Sequence, residues 1–160
     1  MRCYKSMELD FKQATIIGKV TAIYLCDPKE MTLRSVEEGV FKENHGLIGD
    51  KHSFSGDRQV TLFSAEGRNR IETIEADGLC VRKFYENLTV QGLDASKLVC
   101  GRELVIGESI FQITAIGKRC FLDCNIVKRT EACSLRYGVV FAKVILGGRV
   151  RVGDEVLLRE

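Results

Sequence analysis

Along the chain, apolar and β-branched residues gather in short runs separated by glycines and acids, and one stretch carries a helical spacing. "TIIGKVTAIYL" (Thr15–Leu25) is interrupted by a single lysine, and "RQVTLF" (Arg58–Phe63) alternates in part. "SIFQITAI" (Ser109–Ile116) and "VVFAKVIL" (Val139–Leu146) are near-continuous β-prone runs. Branched and aromatic side chains pack well on a pleated surface, so these four runs predict strands. "SAEGRNRIETIEADG" (Ser64–Gly78) predicts a helix: Ser64 can cap its first turn, Ile71 and Ile74 lie three apart, and Gly78 stops it. Two segments echo one another, "CGRELVIGESI" (Cys100–Ile110) and "GGRVRVGDEVL" (Gly147–Leu157). Each reads glycine, arginine, a short β run, glycine, acid and a second β run, which predicts a tight hairpin. Two hairpins among many short strands, without regularly interleaved helices, favour a closed or nearly closed β-barrel over a βαβ sheet. The expectation is a mostly β single domain spanning residues 1–160, with its core at about 15–158 and one or two minor helices.

Composition narrows the class without changing that picture. A length of 160 residues suits one domain with a sizeable core, and 45% hydrophobic with 29% charged residues is ordinary for a soluble protein. A single proline, Pro28, and no low-complexity tract argue against a long linker. The opening "MRCYKSMELDFK" lacks the apolar segment of a signal peptide, and no apolar run approaches a membrane span, so a cytoplasmic protein is expected. The net charge of +2 hides an asymmetry: Gly117–Arg151 carries eight cations against Asp123 and Glu131, which makes it +6 and the remainder −4. Such a bias suits an anionic small ligand or partner. The cations are interleaved with strand positions and no recognition motif accompanies them, which speaks against nucleic acid.

The chain has seven cysteines, an odd number, and a reducing cytosol keeps thiols free. Cys3, Cys26, Cys80 and Cys100 read as small apolar fillers. "GKRCFLDCNIV" (Gly117–Val127) is different, because Cys120 and Cys124 follow two cations, Lys118 and Arg119. The CxxxC spacing is not that of disulfide oxidoreductases, and Cys120, Cys124, Cys133 and a distant His52 fit no standard zinc pattern. On a strand the two thiols would be roughly 13 Å apart at Cα, and on a helical turn about 6 Å. A reactive thiolate has better physics. A free thiol is only about 3% ionised at pH 7, and a fall of about two pH units in its pKa costs about 2.7 kcal/mol. One cation at about 5 Å supplies on the order of 3 kcal/mol before desolvation. Strand alternation would put Lys118, not Arg119, on the side of Cys120. A surface "KR" beside a buried cysteine remains the plainer alternative.

Two further stretches carry chemistry. "GLIGDKHSFSGDRQVTLFS" (Gly46–Ser64) presents Asp50 and His52 on a glycine-rich loop before Arg58 and Gln59, a set able to bind a polar ligand or assist a thiol. A turn with a satisfied surface histidine is the alternative. In "KFYENLTVQGLD" (Lys83–Asp94), Glu86 and Asn87 interrupt a strand-like run, which reads as exposed edge-strand positions or as ligand-facing groups, the former being favoured.

Taken in order and spacing, these pieces, with "LVCGRELVIGESIFQIT", "IGKRCFLDCNI" and "VVFAKVILGGRVRVGDEVLL", resemble the MOSC domain, named for the C-terminal domain of molybdenum cofactor sulfurases. The resemblance runs from about Gly18 to Leu158 and is closest to the small stand-alone bacterial members. It implies a β-barrel associated with the molybdenum cofactor (molybdopterin) or with sulfur transfer. The motif cysteine falls on Cys120, implying either a persulfide carrier or a molybdenum ligand. Lys118 and Arg119 would favour its thiolate and attract an anionic ligand, while Cys124 and Cys133 match further cysteines of the bacterial subgroup. His52, Arg58, Gln59, Glu86 and Asn87 fall on the other polar motif positions, with a ligand-lining role and Asp50 in support. Where close relatives commonly place a histidine after the motif cysteine, this chain has Phe121. No pyridoxal-phosphate site is expected, so a separate cysteine desulfurase would donate sulfur, with cofactor-biosynthesis proteins or molybdoenzymes as further partners. Two alternatives follow from the same resemblance. One is a non-enzymatic cofactor- or partner-binding module. The other is molybdenum-dependent reduction of N-hydroxylated compounds, which would need partner proteins because the chain has no flavin or iron–sulfur motif.

Overall fold

The computed structural model describes residues 14–129 and 133–160; Cys3, expected to be a core filler, lies outside them. Strand β1 (Ala14–Cys26) is the spine. It pairs antiparallel with β11 (Glu155–Arg159), β6 (Leu88–Gln91) and β2 (Leu33–Val36) along successive parts of its length, with irregularities in register near Gly18 and between Val20 and Ala22. Such irregularities bend a strand, which lets one strand serve several partners. The remaining staves are β5 (Val60–Ser64), β7 (Glu103–Ile106), β8 (Ser109–Ile116) and β9 (Val140–Leu146). In the order β11-β7-β8-β9-β5-β6-β1, with β1 returning to β11, seven strands close a barrel as the sequence predicts, and only β5–β6 is parallel. Strands β3 (Glu38–Lys42), β4 (Gly46–Leu47) and β10 (Gly148–Arg151) form a second, three-stranded sheet. That sheet contributes Phe41, Leu47 and Val150 to the main core, where Phe41 meets Phe111 edge to face at 5.1 Å.

The echoing segments therefore have different fates. The first is a hairpin, β7 paired with β8 across Gly107 and Glu108. The second is a corner: β10 pairs with β3 while β11 pairs with β1 and β7, so the chain changes sheets between Arg151 and Glu155. The same turn signal can close a hairpin or carry the chain between sheets, because partners are chosen by distant strands.

Alternation along β5 and β9 creates two cores. Val60, Leu62, Val140, Ala142 and Val144 point into the barrel, while Phe63, Val139 and Phe141 face outward. The outward residues are covered by short helices, three among the described residues where one or two were expected: α1 (Ala65–Glu72), α2 (Asn125–Lys128) and α3 (Ser134–Gly138). Ser64 caps α1 by accepting the Gly67 N–H at 2.9 Å. The helix ends at Glu72, short of Gly78, and leaves Ile74 exposed. Gly67 lets α1 lie on Phe63, since a Cβ there would come within 2.6 Å of the ring. Cys124, Ile126, Cys133 and Leu135 complete this second core, which puts two of the motif cysteines against the outer wall of the barrel. Among the described residues no helix is long and apolar enough to cross a membrane.

Candidate functional site

Strand β8 ends at Ile116, and Gly117, at φ 85°, turns the chain out of the sheet. Its N–H donates to Val139 O at 2.6 Å and that of Lys118 to Arg136 O at 3.0 Å, which moors the start of the cysteine loop to the segment from α3 into β9. Cys120 follows in irregular backbone. The chain then reverses through a turn closed by Cys124 N–H to Phe121 O at 3.1 Å, and α2 begins. Cys133 stands immediately before α3, and Cys80 sits in the looped segment between α1 and β6. Cys80, Cys120, Cys124 and Cys133 line one small apolar void of about 20 Å³, with Lys118, Arg119 and Arg136 at its walls. That is room for about one water. Cys120 is half-buried, Cys124 and Cys133 are buried, and Phe121 and Leu122 beside them are exposed.

Two expectations about cysteine change here. Cys80, read as a filler, joins the thiol pocket from a distant loop, and no spacing in the sequence signals it. Cys100, also read as a filler, is exposed, whereas Cys26 is buried as expected. Among the described residues, no group of three or more His, Cys, Asp or Glu side chains converges to hold a metal ion.

The electrostatics of Cys120 also differ from the strand-based expectation. Burial pushes its thiol above the ordinary value of 9.0, the neighbouring Cys133, Cys124 and Cys80 add to the rise, and Arg136 opposes it. Arg136 is a cation that favours the Cys120 thiolate, brought in from another element by α3 where strand alternation has stopped at Gly117. The Lys118 ammonium lies 5.6 Å from the Phe84 ring centre. Cys124 shifts the other way: burial raises it, but the backbone N–H groups of Leu79, Ile126 and Val127 outweigh burial and lower it. Alkylation of Cys120 should therefore rise with pH to a midpoint above that of free cysteine, and Arg136→Ala should move that midpoint higher still. Iodoacetamide rates followed by peptide mass against pH check this; a Cys120 midpoint below free cysteine contradicts it.

The other predicted polar residues separate into structural clips and pocket walls. Asp50 is buried and accepts from Cys26 N–H at 2.8 Å, Tyr85 Oη at 2.9 Å and Asn87 Nδ2 at 3.2 Å. Asn87 also accepts from Thr61 N–H at 3.0 Å and donates to Tyr24 O at 3.3 Å, tying β1 to β5. Gln59 donates to Gly56 O at 2.8 Å and accepts from Val144 N–H at 2.9 Å. Glu86 is fully buried; it accepts from Arg68 through both oxygens and from Thr89 Oγ1 at 2.7 Å. Glu86 and Asn87 are therefore not exposed edge positions. Their hydrogen bonds run inward to β1, β5 and α1, which is what makes polar side chains tolerable there.

His52 and Arg58 remain open to a ligand. They share a pocket of about 210 Å³ with Phe54, Thr61, Tyr85 and Phe141, and the side chains of Gln59 and Asn87 reach its wall. The Arg58 guanidinium stacks over Phe141 at 4.5 Å, and the His52 ring lies 5.3 Å from Tyr85. Burial, the hydrogen bond to Asp50 and that carboxylate's charge hold Tyr85 well above the ordinary phenol range, so it stays a proton donor. Aromatic faces around one guanidinium suit a planar anionic ligand. The sequence reading missed Tyr85, although it adjoins Glu86, and Phe54 and Phe141. The structure thus gathers Cys120, Cys124, Cys133, Lys118 and Arg119 into one site and His52 and Arg58 into another; Glu86 lines neither.

The MOSC domain family pattern matches residues 49–157, a span that includes both pockets. No curated protein sequence matches the chain. Among solved structures, the YuaD protein from Bacillus subtilis superposes with a TM-score of 0.68 at 17% identity, over 92% of this chain and 98% of that one. YiiM from Escherichia coli superposes with a TM-score of 0.60 at 20% identity, over 89% of this chain and 70% of that one. YiiM from Geobacillus stearothermophilus gives 0.54 at 16%, over 92% and 75%. At these identities the likeness concerns the fold.

Proposed function

The chain belongs to the MOSC domain family, and from that premise we propose that it is a sulfur carrier in which Cys120 accepts and holds a sulfane sulfur. The observation that carries this reading is the thiol pocket. Cys120 is the half-buried thiol of the loop, and the void behind it, about 20 Å³, accommodates a guest of about one heavy atom and not a pterin. Loading would proceed by attack of the Cys120 thiolate on the outer sulfur of a donor persulfide, with the donor thiolate leaving. Burial holds Cys120 protonated at neutral pH, so the donor reaction would need Arg136 to stabilise the thiolate as it forms. The donor is a separate protein of the cysteine desulfurase type, and the acceptors are proteins of molybdenum cofactor metabolism. Incubation with a cysteine desulfurase and cysteine labelled in its sulfur tests the reading: wild type should acquire reducible label, and Cys120→Ala should lose it. Equal label on the variant overturns it.

A second reading is supported by the other pocket. The molybdenum cofactor has a planar pterin and an anionic phosphate, and the His52–Arg58 pocket, with its aromatic walls and one guanidinium, fits such a part of it. Arg58 would hold the anion, and His52 and Tyr85 would flank the ring. When bound, the cofactor would supply a metal able to exchange oxo and sulfido ligands. Uptake of molybdenum and pterin by the purified protein, lost in Arg58→Ala, would support a cofactor-binding module over a carrier that only holds sulfur.

A further inference from the structure

The sequence spacing alone disfavours a redox couple between Cys120 and Cys124, but the backbone between them is neither strand nor open loop. The hydrogen bond from Cys124 N–H to Phe121 O, at 3.1 Å, closes a turn, and a turn of this kind brings its first and last Cα atoms within about 7 Å. Cys120 adjoins the first of these residues. Both thiols line the same void, so a disulfide between them needs adjustment within one loop rather than movement of a strand or helix. Cys80 and Cys133 reach the void from other elements, and Cys133 is anchored by Ser134 N–H donating to the buried Glu75 carboxylate at 2.9 Å.

We propose that Cys124 is the resolving thiol of the sulfur carrier, which rests on the reading of Cys120 as the sulfur acceptor. The Cys124 thiolate attacks the inner sulfur of the Cys120 persulfide, which is Sγ of Cys120. The Cys120 Sγ–sulfane bond breaks as the Cys120–Cys124 bond forms. The sulfane sulfur takes the electron pair and departs as hydrosulfide, keeping the persulfide proton. The Cys124 sulfur is oxidised to the disulfide level and the sulfane sulfur is reduced, so the step needs no outside oxidant. The void gives the departing hydrosulfide a place the size of one small guest. What the protein hands on is then inorganic sulfide, and a dithiol reductant returns the pair to thiols.

The sequence makes the test clean. Trypsin cutting after Arg119 and Lys128 releases "CFLDCNIVK", which holds both cysteines, whereas Cys133 falls on a different peptide. Wild-type protein loaded with inorganic polysulfide should gain about 32 Da on Cys120, then convert to a form whose Cys120–Lys128 peptide is about 2 Da lighter than its reduced form, with matching sulfide release. In Cys124→Ser the persulfide should persist about tenfold longer, because the intramolecular attacker is gone; Cys100→Ser, at an exposed cysteine outside the void, should behave as wild type. Diamide treatment of sulfur-free wild type should yield the same internal disulfide, a check that needs no variant. A persulfide that decays equally in wild type and Cys124→Ser, a link joining Cys120 to the Cys133 peptide, or no internal disulfide with diamide overturns the resolving role alone. Absence of any gain on Cys120 in Cys124→Ser, where nothing resolves the persulfide, overturns the sulfur-carrier reading and this step with it.

Discussion

Replacing Glu86 with alanine is expected to destabilise the protein by about 3–5 kcal/mol, the range for breaking a buried ion pair from one side. Glu86 is fully buried, while the Arg68 side chain that clasps it from α1 is only 20% exposed. One arm of the pair is Nε to Oε1 at 3.1 Å, and a second runs from the guanidinium NH2 group to Oε2. Burial opposes the charge on Arg68, but Glu86, helped by Glu72 one turn along α1, more than compensates and holds the guanidinium above its ordinary range. Removing the carboxylate leaves that cation in a poorly solvated place and strips Thr89 Oγ1 of its acceptor as well. Against a total stability of about 5–15 kcal/mol this is a large fraction, and the midpoint of thermal unfolding should fall by about 10 °C. Glu86→Gln keeps the shape and part of the hydrogen bonding and should lose less. The double variant Arg68→Met with Glu86→Leu should recover more than half of the alanine loss, since it removes both charges at once. Urea unfolding of the four proteins measures this, and a Glu86→Ala loss below about 1 kcal/mol would contradict the buried-pair account.

The same residue shows what could be seen in the chain beforehand. The barrel staves were legible because β-branched runs have a physical preference that depends little on the partner: Thr15–Leu25 and Ser109–Ile116 lie in strands, and so does Val139–Leu146 from its second residue onward. Cys120, Cys124 and Cys133 share one pocket, and it was the family resemblance, not their spacing, that had grouped them. The direction in which polar groups face was not legible. Glu86 and Asn87 look like solvated edge residues until Arg68 on α1 and Asp50 on the glycine loop are brought to them, which only the closed fold does. The contribution of Arg136 to Cys120 was not legible for a related reason. Alternation predicts neighbours only while the strand continues, and here it stops at Gly117, so this charge comes from α3. Cys80 could not be found at all, because its approach to the other thiols is set by how the segment after α1 packs on the second core.

Gly117→Ala is expected to cost about 2 kcal/mol or more and to disturb the thiol loop selectively. Gly117 has φ 85°, a region that costs an alanine about 1–2 kcal/mol, and a Cβ there would also overlap the carbonyl oxygen of Arg136. That contact is with backbone, so it cannot be relieved by a side-chain rotamer. Relief requires moving β8 from the segment joining α3 to β9, at the two hydrogen bonds that moor the loop, Gly117 N–H to Val139 O and Lys118 N–H to Arg136 O. Gly101 provides the control: it has φ 91° with nothing within 4 Å of the added Cβ, so Gly101→Ala meets the backbone strain without the overlap. The difference in stability between the two variants measures the overlap itself. Because the loop that moves carries Cys120, Gly117→Ala should also alkylate Cys120 about threefold or more faster at fixed pH, as local opening admits reagent, while Gly101→Ala leaves that rate unchanged. Equal losses in the two variants, or an unchanged Cys120 rate in Gly117→Ala, would mean that the loop is positioned by the thiol pocket and α2 rather than by its mooring at the end of β8.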